Sequence, residues 1–63
     1  MMTLRDYLAS PEGDACVSVC FYGPNSERCA MSVDEAKTDA EVLNKTIDRN
    51  VRLKSGGVIS YLR

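Results

Sequence analysis

The fold turns on Ala15-Cys16-Val17-Ser18-Val19-Cys20-Phe21-Tyr22, then Gly23-Pro24-Asn25-Ser26-Glu27, then Arg28-Cys29-Ala30-Met31-Ser32-Val33. Two alternating runs flank a cluster of turn-forming residues, which is the pattern of a β-hairpin. Pairing Phe21 with Cys29 sets Val19 opposite Met31 and Val17 opposite Val33, so one face is wholly apolar. A slip of one residue would set Ser18 opposite Met31 and mix the two faces, and a buried face strongly penalises that. The preferred register turns Cys16, Ser18, Cys20, Tyr22, Arg28, Ala30 and Ser32 to the other side, with Tyr22 opposite Arg28. Cys20 and Cys29 then point to different sides of the sheet, a geometry no disulfide spans.

Upstream, Thr3 is placed to cap a short helix with Leu4, Tyr7 and Leu8 on one side. Ser10-Pro11 ends it, because the residue before proline is pushed out of helical space. Glu12, Gly13 and Asp14 make a polar connector. Downstream, Ser32 and Glu35 form a capping box that opens a second helix. Its apolar stripe is Ala36, Ala40 and Leu43, extending toward Ile47, and Lys45 lies in its last turn. A second hairpin is expected from Arg49–Lys54 and Val58–Leu62 around Ser55-Gly56-Gly57. A three-residue loop pairs Leu53 with Ile59 and Val51 with Tyr61, and leaves Arg52, Lys54, Val58, Ser60 and Leu62 on the outside. A two-residue Gly56-Gly57 turn is the competing reading and changes which residues of the last strand face out. The expected architecture is α+β, in the order αββαββ. Two hairpins make a four-stranded antiparallel sheet, with two helices on one face.

With 63 residues the chain is expected to form one small domain, residues 1–63. An apolar content of 44% and a charged content of 27% predict a folded chain rather than a disordered one. A chain of this size buries only about 60% of the surface it exposes when unfolded, so its core is small. No apolar run reaches the roughly 18 residues of a membrane span, and the N-terminus lacks the pattern of a signal peptide. A cytoplasmic location is therefore expected. The three cysteines, Cys16, Cys20 and Cys29, are expected to be free thiols. Their spacing matches no common zinc pattern, and the chain has no histidine, so neither metal nor cofactor is expected.

Charge divides along the chain. From Met1 to Asn44 there are eight acids and three bases, net −5. From Lys45 to Arg63 there are five bases and one acid, net +4. Fields of this kind act on partner choice and association rate. The absence of histidine excludes His-based acid–base and triad chemistry. There is no phosphate-cradling glycine loop, and no general base stands at a recognisable spacing from Cys16 or Cys20. The chain is not expected to be an enzyme. Arg49, Arg52 and Lys54 form a basic patch that suggests a nucleic-acid accessory role. The isoelectric point near 5.2 and the acidic second helix argue against direct nucleic-acid binding.

What remains is binding surface. Tyr22, Asn25, Glu27 and Arg28 gather at the first hairpin, and Tyr and Arg are enriched at binding hot spots. Glu12, Asp14, Asp34, Glu35, Asp39 and Glu41 form an acidic set suited to a basic, nucleic-acid-handling partner. A homodimer through the open sheet face or an edge strand is a further possibility. The start Met2-Thr3-Leu4-Arg5-Asp6-Tyr7-Leu8, followed by hairpin, capped helix and hairpin, resembles small orphan proteins of phages and mobile elements. Some of these, anti-CRISPR proteins among them, are single αββαββ domains that evade host defence by binding and blocking a host complex. The resemblance implies a protein–protein inhibitor.

Overall fold

A computed structural model describes residues Met1–Arg63. Thr3 caps α1 (Leu4–Ala9) by accepting a hydrogen bond from the Asp6 amide at 3.2 Å. Ser10 ends it in an extended conformation. The connector expected next winds into a 3-10 turn, Pro11–Ala15, with proline at its start, where a missing N–H costs nothing. Gly13 permits α1 to pack on this turn, since a Cβ there would lie 2.6 Å from the Leu8 Cα and would run into the Tyr7 carbonyl.

The strands are β1 (Cys16–Tyr22), β2 (Arg28–Ser32), β3 (Ile47–Arg52) and β4 (Val58–Leu62). The first hairpin has the expected register, with Val19 opposite Met31, Phe21 opposite Cys29 and Tyr22 opposite Arg28. The sheet order is β2-β1-β4-β3, and the central pair β1–β4 is parallel. This corrects the expectation of a purely antiparallel sheet. With β2 antiparallel to β1 and β3 antiparallel to β4, the two edge strands must run in the same direction. The chain from Val33 to Thr46 therefore travels back along the sheet before β3 begins, as any parallel crossover requires.

That return segment is not the single helix the capping box suggests. It forms two one-turn helices, α2 (Val33–Ala36) and α3 (Ala40–Leu43). Ser32 caps α2 as expected. The Thr38 hydroxyl then donates to the Glu35 carbonyl at 2.8 Å, and the Asp39 carboxylate accepts from the Glu41 and Val42 amides. Local side-chain bonds of this type compete with helix continuation. The break rotates the apolar stripe: Ala36 and Val42 are buried, Ala40 is exposed, and Ile47 lies in β3.

A bulge at Val17 in the β1–β4 pairing turns Cys16 into the core and leaves Val17 exposed, the reverse of the alternation expected. In the second hairpin the buried residues of β4 are Val58, Ser60 and Leu62, while Ile59 and Tyr61 face the open side. This inverts the expected faces. The core is Leu4, Tyr7, Cys16, Val19, Ala36, Val42 and Leu62, with Leu8, Phe21, Met31, Val33, Leu43 and Ile47 packed around it. Ser60, fully buried, donates to the Asn50 side-chain oxygen at 2.7 Å and lies 3.6 Å from the Cys16 sulfur. No side-chain nitrogen or oxygen is left buried without a partner.

Both hairpins close with the same loop. The Gly23 amide donates to the Glu27 carbonyl and the Ser26 amide to that of Gly23. The Leu53 amide likewise donates to Gly57 and the Gly56 amide to Leu53. The second loop is thus Lys54-Ser55-Gly56, one residue earlier than expected, and it pairs Val51 with Ile59 and Arg49 with Tyr61. The third loop residue adopts positive φ, 61° at Ser26 and 94° at Gly56. Only the second is glycine, so the loops should respond oppositely to substitution. Gly56→Ala is expected to destabilise by about 1–2 kcal/mol, and Ser26→Gly to stabilise by up to about 1 kcal/mol. Urea denaturation of the two variants checks both signs.

Candidate functional site

The three helices and the 3-10 turn lie on one side of the sheet, and the other side is uncovered. Register places Ala30, Cys20, Tyr61 and Arg49 in one row across all four strands. Ser32, Ser18, Ile59 and Val51 form the row beside it. Tyr22 and Arg28 pair beyond the Ala30–Cys20 end of the first row. A depression of about 620 Å3 opens where β1 and β4 end, lined by Cys20, Tyr22, Arg28, Ala30, Arg49 and Tyr61 among others.

The electrostatics of this face are one-sided. The Arg49 guanidinium stacks over the Tyr61 ring, 4.6 Å from its centroid. Tyr22 is 60% exposed, with its ring free to make contact. The carboxylate bordering the depression is Asp48, which stands in the β3 bulge and is paired with Arg63. That hydrogen bond, then the Arg63 charge, holds the Asp48 pKa below the usual carboxylate value. Arg28 and Arg49 therefore set the sign of the face. Cys20 and Cys29 are half-buried free thiols near it.

The residues expected to form a site separate into four groups. Tyr22 and Arg28 lie on the open face, as expected. Asn25 and Glu27 are at the loop tip, where the Glu27 carboxylate accepts from the Asn25 amide at 2.9 Å. Glu12, Asp14, Asp34, Glu35, Asp39 and Glu41 belong to the helical side, spread over the 3-10 turn, α2 and α3. Glu35 and Asp39 are engaged in caps, whereas Glu12, Asp14, Asp34 and Glu41 are exposed. The basic patch does not hold together. Arg49 faces the open side, Arg52 turns to the helical side opposite Val58, and Lys54 sits in the loop.

Tyr61, Ile59 and Val51 were expected in the core and instead furnish the open face. The sequence signal that could have placed them is weak, because the truly buried stripe of β4 contains a serine. Against Val58-Ser60-Leu62, the pair Ile59 and Tyr61 reads as the more apolar face. Ser60 is buried because Asn50 and Cys16 satisfy it, and neither contact follows from strand periodicity. Compared with known proteins, the chain matches no family model, no curated protein and no solved structure.

On the helical side, burial raises the pKa of Tyr7 above the ordinary 10.0, helped by Cys16 and Glu12 and opposed by Arg52. In the unfolded chain this phenol ionises first, so its linkage leaves stability unchanged below about pH 10 and removes it above. Tyr7→Phe should unfold less steeply than the wild type as pH rises through that range. Chemical denaturation at a series of alkaline pH values measures the difference.

Proposed function

We propose that this chain is a small protein-interaction domain whose contact surface is the open sheet face. The observation that carries the reading is the gathering of Tyr22, Tyr61, Arg28 and Arg49 around one depression. Rigid strands hold the aromatic rings, so little side-chain entropy is lost on docking. Tyr and Arg at the centre of a concave patch are the residue types that dominate interface energetics. With two arginines and its bordering carboxylate already paired, the face suits a partner surface that presents carboxylates beside an apolar centre. The domain acts by occupancy and needs neither cofactor nor chemistry of its own.

A second reading rests on the opposite side. Glu12, Asp14, Asp34 and Glu41 are exposed carboxylates on the helical layer. They would meet a basic, nucleic-acid-handling surface, as a phage-type or anti-CRISPR-like inhibitor of a host nuclease would. Direct binding of single-stranded nucleic acid through the tyrosines is the third outcome, because stacking on aromatic rings is sequence-tolerant.

Paired charge reversals separate these readings in one binding assay. Arg28→Glu with Arg49→Glu is expected to abolish capture of the partner, while Asp34→Lys with Glu41→Lys leaves it unchanged. The opposite pattern transfers the function to the helical layer. Once a partner is purified, Tyr61→Ala should weaken binding by about 2 kcal/mol, roughly thirty-fold. A steep loss of oligonucleotide affinity with salt, seen without any protein partner, would replace the protein reading with the nucleic-acid one.

A further inference from the structure

The sheet carries a second concavity on its helix-covered side, away from the open face. It is a groove of about 720 Å3 between the 3-10 turn and the β3–β4 hairpin, bordered by Tyr7, Glu12, Asp14, Asn50, Arg52 and Val58. Tyr7 is only 6% exposed, yet its hydroxyl makes no hydrogen bond within the protein. The hydroxyl is not sealed off, since no buried polar atom lacks a partner. Tyr7 itself borders the groove, together with Glu12 and Arg52.

The neighbouring donors are arranged as well. The Ser60 hydroxyl holds the Asn50 side-chain oxygen at 2.7 Å, which leaves the Asn50 amide nitrogen as a free donor. Asn50 and Arg52 are two apart on β3 and share its helical side. Arg52 commits one nitrogen to the Gly56 carbonyl at 3.3 Å, and the rest of its guanidinium fork is unoccupied. Glu12 and Asp14 supply carboxylates on the same groove, yet the protein's one ion pair is Arg63–Asp48. Charges of both signs thus border one cleft without cancelling each other.

We propose that this groove binds a small zwitterion of the amino-acid or dipeptide class. Arg52, the Asn50 amide nitrogen and the Tyr7 hydroxyl converge as donors for its carboxylate. Glu12 and Asp14 accept from its ammonium group, and Val58 supports the carbon skeleton between them. A ligand with one charge alone would engage only one side of the groove, which makes the free dipeptide the preferred form.

The test is an amide NMR titration of the full chain with dialanine, N-acetyl-dialanine and dialanine amide in parallel. Dialanine should give saturable shifts at the Asn50 side chain and at Glu12–Asp14. Each capped form should bind at least roughly ten-fold more weakly, the scale of a lost charge-assisted hydrogen bond. Arg52→Gln should erase the preference for the free carboxylate, and Glu12→Gln with Asp14→Asn the preference for the free amine. These side chains are exposed, so an otherwise unchanged spectrum certifies the fold of each variant. Tyr7→Phe should weaken dialanine several-fold. Absence of saturable shifts, equal binding of the capped forms, or wild-type selectivity in Arg52→Gln overturns the proposal.

Discussion

The parallel seam between β1 and β4 is the constraint on which the rest of the molecule depends. These strands carry the fully buried Val19 and Ser60 and the nearly buried Cys16, Val58 and Leu62, so they occupy the middle of the sheet. Once they lie side by side and parallel, both hairpins project outward and the charged β3 becomes an edge. A charged edge strand discourages pairing with other sheets. The same seam obliges residues 33–46 to recross the sheet, and this lays α2 and α3 over one face and leaves the other bare. The bulge at Val17 belongs to this seam. By admitting one extra residue it brings Cys16 inward beside Ser60.

The proposed function rests on this division into two sides. The open side gathers Arg28, Arg49 and the two tyrosines around a depression, while the helical side carries seven of the nine acids. The charge asymmetry along the chain is therefore only partly a charge asymmetry in space. Arg28, from the acidic stretch, joins Arg49 on the open face, and Arg52 crosses to the helical side to stand over a groove with Glu12 and Asp14. Buried polar contacts make the second arrangement possible. Ser60 occupies a core position, and its hydroxyl orients Asn50 toward the groove. With so few buried residues in a chain of 63, each such contact is a large share of what defines a unique structure.

The candidate surfaces were unevenly legible in the sequence. Tyr22 and Arg28 could be placed together because the first hairpin has a single register that keeps one face apolar. Arg52 and Lys54 were expected together on the outer face, but Arg52 turns to the helical side opposite Val58 and Lys54 lies in the loop, because neighbouring residues on a strand and its loop point in different directions. The Lys54-Ser55-Gly56 loop differs from the expected one by a single residue, and that shift re-pairs the whole hairpin. Tyr61 was assigned to the core on hydrophobicity alone, whereas burial in β4 is decided by what covers it.

What the sequence by itself determined is local: the Thr3 and Ser32 caps, the stop at Ser10-Pro11, and the first hairpin and its register. These depend on interactions between residues within a few positions or on one pair of strands, so pattern suffices to read them. The tertiary structure alone decided the parallel seam, the bulge that inverts Cys16 and Val17, and the side of β4 that is buried. Each of these is a contact between segments some forty residues apart, such as Cys16 with Ser60 and Val58. Such contacts are chosen by competition among all ways of covering one small core, and no local periodicity records which of them wins.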